Sequence, residues 1–131
     1  EACGKLEQIK ETIDAVKGSD INVFSGDDGL AIEIIKLGGR GLISVASNLI
    51  PQQMHDMTTL ALTGDVAGAE KMSKDFAPLF AQLFSEVNPI PIKYACSQKN
   101  LCKNILRLPL TPMSEDKAQL LLGTMQQFKL I

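Results

Sequence analysis

Residues 21–28 read Ile-Asn-Val-Phe-Ser-Gly-Asp-Asp, and residues 37–45 read Leu-Gly-Gly-Arg-Gly-Leu-Ile-Ser-Val. Two short apolar runs, Ile21–Phe24 and Leu42–Val45, each have the length and composition of a buried strand. Between them, Leu30, Ile34 and Leu37 recur at the spacing of one helical face, which predicts a helix over 28–37. Gly38, Gly39 and Gly41 stop that helix and turn the chain back. Strand, helix, strand at this length reads as a βαβ unit with a right-handed crossover. One helix precedes the unit and everything after it looks helical. The expected fold class is therefore mainly α with two short parallel strands, the end of a parallel α/β fold rather than a whole one.

The chain has 131 residues, 45% of them apolar and 21% charged, with a net charge of -2. That is enough for one domain with its own core. The charge balance gives no electrostatic reason to expect nucleic acid as a partner. No apolar run approaches the ~18–20 residues a bilayer needs, and no basic start with an apolar core marks a secretory signal. Three cysteines (Cys3, Cys96, Cys102) lack paired spacing, and one histidine (His55) cannot complete a metal cluster. The expectation is reduced thiols, no metal, no cofactor and a cytoplasmic protein. The sequence opens on Glu1 rather than Met, which reads as a piece cut or processed from something larger.

Further out, Leu6, Ile9, Ile13 and Val16 make one stripe of an amphipathic helix over 5–16, closed by Gly18. Asp27 or Asp28 can cap the next helix, and the plain reading of both is a helix start. Pro51 suits a first helical turn, with Met54, Met57 and Ala61 facing inward and Gly64 ending the helix. Asp65 caps a long helix over 66–84 that carries Ala69, Met72, Phe76, Leu79, Phe80 and Leu83 on one side and Pro78 inside it. Asn88-Pro89-Ile90-Pro91 punctuates the chain before a short helix over 92–100. Residues 105–112, Ile-Leu-Arg-Leu-Pro-Leu-Thr-Pro, are too apolar to be loose and too rich in proline for a sheet interior; they are expected extended, strapped across helices. Ser114 caps the last helix, whose stripe is Ala118, Leu121, Leu122, Met125 and Phe128.

The chain offers little catalytic machinery by itself. The histidine is mid-helix, no phosphate loop exists, and the glycines at 38–41 follow a helix, the wrong order for a dinucleotide fingerprint. What remains is the pair of strand ends, 25–28 and 43–47, because ligands of parallel α/β folds collect at the carboxyl ends of strands.

Four separated stretches now carry a resemblance: Ser25-Gly26-Asp27-Asp28, Leu37 to Val45, Asn88-Pro89-Ile90-Pro91-Ile92-Lys93, and Leu106-Arg107-Leu108-Pro109-Leu110. In order and spacing they closely resemble the dihydrodipicolinate synthase family. One such motif is moderately specific; four in register are a strong match. The last two favour this family over the related N-acetylneuraminate lyases.

The resemblance implies a (β/α)8 barrel followed by a helical C-terminal region. Residues 1–50 would hold the last βα units, with strand seven at 21–25 and strand eight at 41–45, and 51–131 the helical region. It implies a lyase that condenses pyruvate with aspartate semialdehyde in lysine and diaminopimelate biosynthesis. Pyruvate is held as a Schiff base on a lysine at the end of strand six. In the family that lysine stands immediately before a Glu-Ala segment matched by Glu1-Ala2, so this chain taken alone is expected to be inactive. Ile43 matches a residue lying against bound pyruvate, and Gly26, Asp27 and Asp28 match the loop near the second substrate. Leu6 and Leu37 match positions where family dimers pair into tetramers, so a homo-oligomer is expected. Cys3 departs from the family's frequent Thr. Lys93, after its Pro-x-Pro turn, reads as structural rather than as a spare Schiff-base amine. The other reading of the same residues is a non-catalytic helical scaffold or oligomerisation module.

Overall fold

The structure, a computed structural model, describes every residue from Glu1 to Ile131. It is built of α-helices: α1 Leu6–Ala15, α2 Ala31–Lys36, α3 Pro51–Thr63, α4 Val66–Leu83, α5 Ile90–Gln98 and α6 Glu115–Gln127, with a 3-10 turn at Ala46–Asn48. None is long and apolar enough to cross a membrane. The chain forms two compact units, Glu1–Asp75 and Phe76–Ile131, and α4 begins in the first and ends in the second.

In the first unit the stripe read from sequence becomes the core. Ile9 and Ile13 of α1 meet Ile34 of α2, and Leu6, Val23, Leu30 and Leu37 close around them. Each fully buried side chain of this size is worth ~1.5–3 kcal/mol of transfer free energy. Helix α2 is buried on more than the predicted face, since Ala31, Ile32 and Ile35 are also enclosed. It packs on α3, which turns Met54, Met57 and Ala61 inward as expected. Gly64 ends α3 in a left-handed conformation, and Asp65 Oδ1 accepts the Gly68 amide at 3.0 Å to start α4. Lys36 reaches Glu33 and Glu70 at 3.1 and 2.9 Å, exposed pairs that add little to stability.

The second unit holds Leu79, Phe80 and Leu83 of α4 in its core, with Phe76 stacked on Phe128 at 5.2 Å. Helix α5 starts earlier than the sequence suggested, because Pro89 serves as its N-cap and Pro91 fits its first turn. The Asn88–Pro89 and Leu108–Pro109 peptide bonds are cis.

Four expectations need correction. Helix α2 begins at Ala31, not at 28, because Asp27 organises a turn ahead of it: its Oδ1 accepts the Gly29 and Leu30 amides at 2.8 and 3.1 Å. The two strands shrink to a single parallel bridge between Ser25 and Leu42, leaving Ile21 64% and Ile43 73% exposed. The proline-rich 105–112 segment, expected extended and strapped across helices, is irregular and mostly exposed, with only Leu106 and Leu110 half-buried. Leu108 is 89% exposed, and the segment is tied to α5 through Lys93, whose Nζ donates to the Ile105 carbonyl at 2.6 Å. Ser114 stands at the N-cap of α6 but makes no side-chain cap; its hydroxyl donates instead to Glu86 at 2.6 Å.

Candidate functional site

The site proposed from sequence lies where residues 25–28 and 41–47 come together. The Ser25 amide donates to the Gly41 carbonyl at 2.9 Å, and the Ile43 amide donates back to the Ser25 carbonyl at 2.8 Å, the pairing of a parallel ladder. One step earlier the ladder slips. Val23 receives the amide of Arg40 at 2.8 Å, not that of Gly41, so one extra residue is accommodated and pairing stops. Gly41 absorbs the slip at a φ of 152°, and a Cβ there would meet the Phe24 ring at 3.1 Å.

A third segment, which the sequence reading did not foresee, lies on the other side of Ser25. The Glu1 amino group donates to the Phe24 carbonyl and the Gly26 amide to the Glu1 carbonyl, both at 2.7 Å. Residues 1, 25 and 42 thus stand side by side, in chain order, with the hydrogen-bond alternation of neighbouring parallel strands. A Cβ on Gly26 would sit 2.9 Å from Ala2 Cβ, so this approach requires glycine. The signal was present in the small residues Ala2 and Gly26, but periodicity cannot read a pairing between two such short segments.

The predicted site residues divide into three groups. Gly26 and Asp27 are half-buried on the turn after Ser25, whose own buried hydroxyl accepts the Asp27 amide at 3.1 Å and donates to its carbonyl at 2.8 Å. Ile43 is exposed beside them. Leu6 and Leu37 are half-buried against the Ile9–Ile13–Ile34 core. Asp28 belongs to none of these surfaces. It is completely enclosed, and its Oδ2 accepts the amides of Val45 and Ala46 at 3.1 and 2.9 Å. Its Oδ1 is equally shut away and has no hydrogen-bond partner. Burial pushes the Asp28 carboxyl above its ordinary value, the neighbouring Ser44 hydroxyl and the two amides oppose this, and the Asp27 charge adds to the rise.

Ser44 and Ser47 complete the second turn: the Ser47 amide donates to the Ser44 hydroxyl at 2.8 Å. Residues 21–28 and 41–47 include no lysine, histidine or cysteine. The site can therefore shape one wall of a pocket and offer backbone groups and the Asp27 carboxylate.

Short parallel stubs gathered in order among helices define a mainly helical protein with a trace of parallel α/β pairing. The particular family follows from comparison: a family model described as the dihydrodipicolinate synthetase family matches residues 1–128, and the chain belongs to that family. The 4-hydroxy-tetrahydrodipicolinate synthase of Methanosarcina mazei is 44% identical over 115 residues, covering 88% of this chain and 40% of the relative. Among solved structures, dihydrodipicolinate synthase from Thermotoga maritima superposes with a TM-score of 0.96 at 35% identity, over 100% of this chain and 45% of that one. A chloride-inhibited synthase from Acinetobacter baumannii, complexed with pyruvate, gives 0.92 at 36% identity over 99% and 44%. The chain thus spans about two-fifths of the length of the curated relatives it matches, and the matched region is mainly helical.

Proposed function

We propose that residues 1–131 are the C-terminal part of a 4-hydroxy-tetrahydrodipicolinate synthase, with 1–50 the last βα units of a (β/α)8 barrel and 51–131 its helical C-terminal region. The observation that carries this reading is the ordered, same-direction set of stubs at residues 1, 25 and 42, which corresponds to strands six, seven and eight. In the assembled enzyme, pyruvate loses its carbonyl oxygen as water to a lysine amine, and the resulting imine gives up a methyl proton. The enamine carbon then attacks the aldehyde of aspartate semialdehyde. Ile43 is the wall against pyruvate, and Gly26 and Asp27 border the second substrate, on the loop that Asp28 roots in the core.

On this reading the amine comes from outside these residues: the candidate turns have no lysine, and Lys93 gives its ammonium to the Ile105 carbonyl. The 131-residue polypeptide by itself is therefore inactive. Incubated with pyruvate and borohydride, it keeps its mass; a stable pyruvyl adduct overturns the inactivity. A chimera that sets the part of the Thermotoga maritima synthase preceding the matched region in front of Glu1 gains both the adduct and condensation activity.

A second consequence is association. Ile21, Phe24 and Ile43 are exposed apolar side chains on the strand stubs, and Leu6 and Leu37 lie at the edge of the core beside α1 and α2. The polypeptide assembles into homo-oligomers through these faces, which is also where a purely scaffolding module would act. Size-exclusion with light scattering reads this directly, and a clean monomer at high concentration counts against it.

A further inference from the structure

Asp28 is the one ionisable side chain of the first unit that is entirely withdrawn from solvent, and it closes the loop Gly26–Asp28 that the synthase reading sets near the second substrate. Beside the neighbouring Ser44 hydroxyl, its backbone hydrogen bonds leave its own element. Both run to the chain 17 and 18 residues on, where Val45 and Ala46 present consecutive amides at the start of the 3-10 turn Ala46–Asn48. Consecutive amides at such a start have no partner within their own turn, and a carboxylate matches their partial charge. Two residues back along the same backbone is Ile43, whose amide is fixed on the Ser25 carbonyl. The second turn is thereby held at two points: by the backbone bridge at 42–43 and by Asp28 at 45–46. A bridge that slips one step away, at Arg40, cannot define this turn alone.

We infer that Asp28 is a positioning residue: it does not touch substrate, but by holding the Val45 and Ala46 amides it sets the path of residues 43–47 and so the stance of Ile43 against pyruvate. This rests on the synthase reading for its catalytic part, and on hydrogen-bond geometry alone for its structural part. A buried group that orders a substrate-facing turn acts through orientation, where displacements of an ångström already matter.

The test uses Asp28→Ala and Asp28→Asn, in this chain and in the chimera with the Thermotoga maritima N-terminal part. Asn keeps one carbonyl oxygen for the two amides and removes the charge; Ala removes the acceptor. In the 131-residue chain, hydrogen exchange at Val45 and Ala46 quickens by about tenfold or more in Asp28→Ala and stays within about threefold of the parent in Asp28→Asn. In the chimera, Asp28→Ala raises the KM for pyruvate about tenfold while kcat falls less, and Asp28→Asn restores the parent KM. Equal damage from Asn and Ala means that the carboxylate charge itself is used, which overturns the inference. So does an alanine variant with unchanged exchange at 45 and 46, or one that is merely less stable and has the parent's KM. If the parent chimera forms no pyruvyl adduct, the synthase reading fails, and the exchange measurement still decides whether Asp28 holds the turn.

Discussion

Each unit of this protein contains a carboxylate that fastens a distant helical start, and the two do it under opposite conditions. In the first unit Asp28 takes the amides of Val45 and Ala46 with no solvent in reach. In the second, Glu86 takes the amide and hydroxyl of Ser114, at 3.2 and 2.6 Å, with Lys117 at 3.7 Å. The hydrogen bonds are alike; the surroundings are not. Around Asp28 burial prevails and the carboxyl is pushed up. Around Glu86 the Ser114 hydroxyl prevails, with its amide and the Lys117 charge assisting, and the carboxyl is held down. The same device thus disfavours the carboxylate charge in one place and favours it in the other, because desolvation penalises charge and donors reward it.

The largest expected effect comes from breaking the buried member. Asp28→Ala leaves the buried Ala46 amide and the part-buried Val45 amide without an acceptor, ~1–3 kcal/mol for an enclosed one, less what is regained by removing a poorly solvated charge; about 2 kcal/mol net is expected from the urea midpoint. Glu86→Ala exposes its former partners to water, which replaces the lost bonds, and should shift the midpoint far less. Equal shifts for the two variants would show that burial does not separate them.

Next in size is the pH dependence, where the two residues must act with opposite sign. The folded state raises the Asp28 carboxyl above its ordinary 3.8, so its contribution is fully present below that value and is lost as pH rises through the folded one. Glu86 is lowered from its ordinary 4.5, so its contribution is present above that value and is lost as pH falls through the folded one. On acidification from about pH 7 towards pH 3, the parent chain therefore gains on Asp28→Asn and loses its advantage over Glu86→Gln. Chemical denaturation of the three chains across that range measures both trends, and slopes of one sign would contradict the contrast.

This contrast also marks how far the sequence could be read. Helices were legible because their stripes are long: Ile9 and Ile13, Met54 and Met57, and Leu79 with Leu83 all face inward at the predicted spacing. Stops were legible where one residue type suffices, as at Gly64 and Asp65. The two aspartates were not separable, because adjacent carboxylates before a helix carry the same local signal. Only the fold shows that Asp27 bonds forward within its turn while Asp28 reaches across 17 residues. The strands were placed correctly as a parallel contact but overstated in length, since nothing in the sequence reveals the slip at Arg40. Residues 105–112 are irregular, as their prolines suggested, but apolar content did not tell which side chains pack: Leu106 and Leu110 are half-buried, while Ile105 and Leu108 remain 64% and 89% exposed. The family motifs carried more than the local physics here, since they are long-range patterns and pocket walls have no periodicity.

The smallest effect, and the finest test of the second unit, is expected at Ser114. A serine at an N-cap ordinarily contributes ~1 kcal/mol by accepting a helix amide. Here its hydroxyl makes no such bond and donates to Glu86 instead, while its backbone amide also serves Glu86 and Lys117 holds the Ser85 carbonyl at 2.8 Å. Ser114→Ala deletes one of several ties to a half-buried carboxylate from an exposed position, so its cost should be a few tenths of a kcal/mol, within the ~0.5 usual for surface changes. Its clearer signature is on Glu86: with the principal cause of the lowering gone, the Glu86 carboxyl should titrate nearer its ordinary value, which carboxyl-carbon NMR resolves. A cost near that of a true cap, with the Glu86 titration unmoved, would mean that the hydroxyl turns to the helix in solution and that Glu86 is held by the Ser114 amide and Lys117 alone.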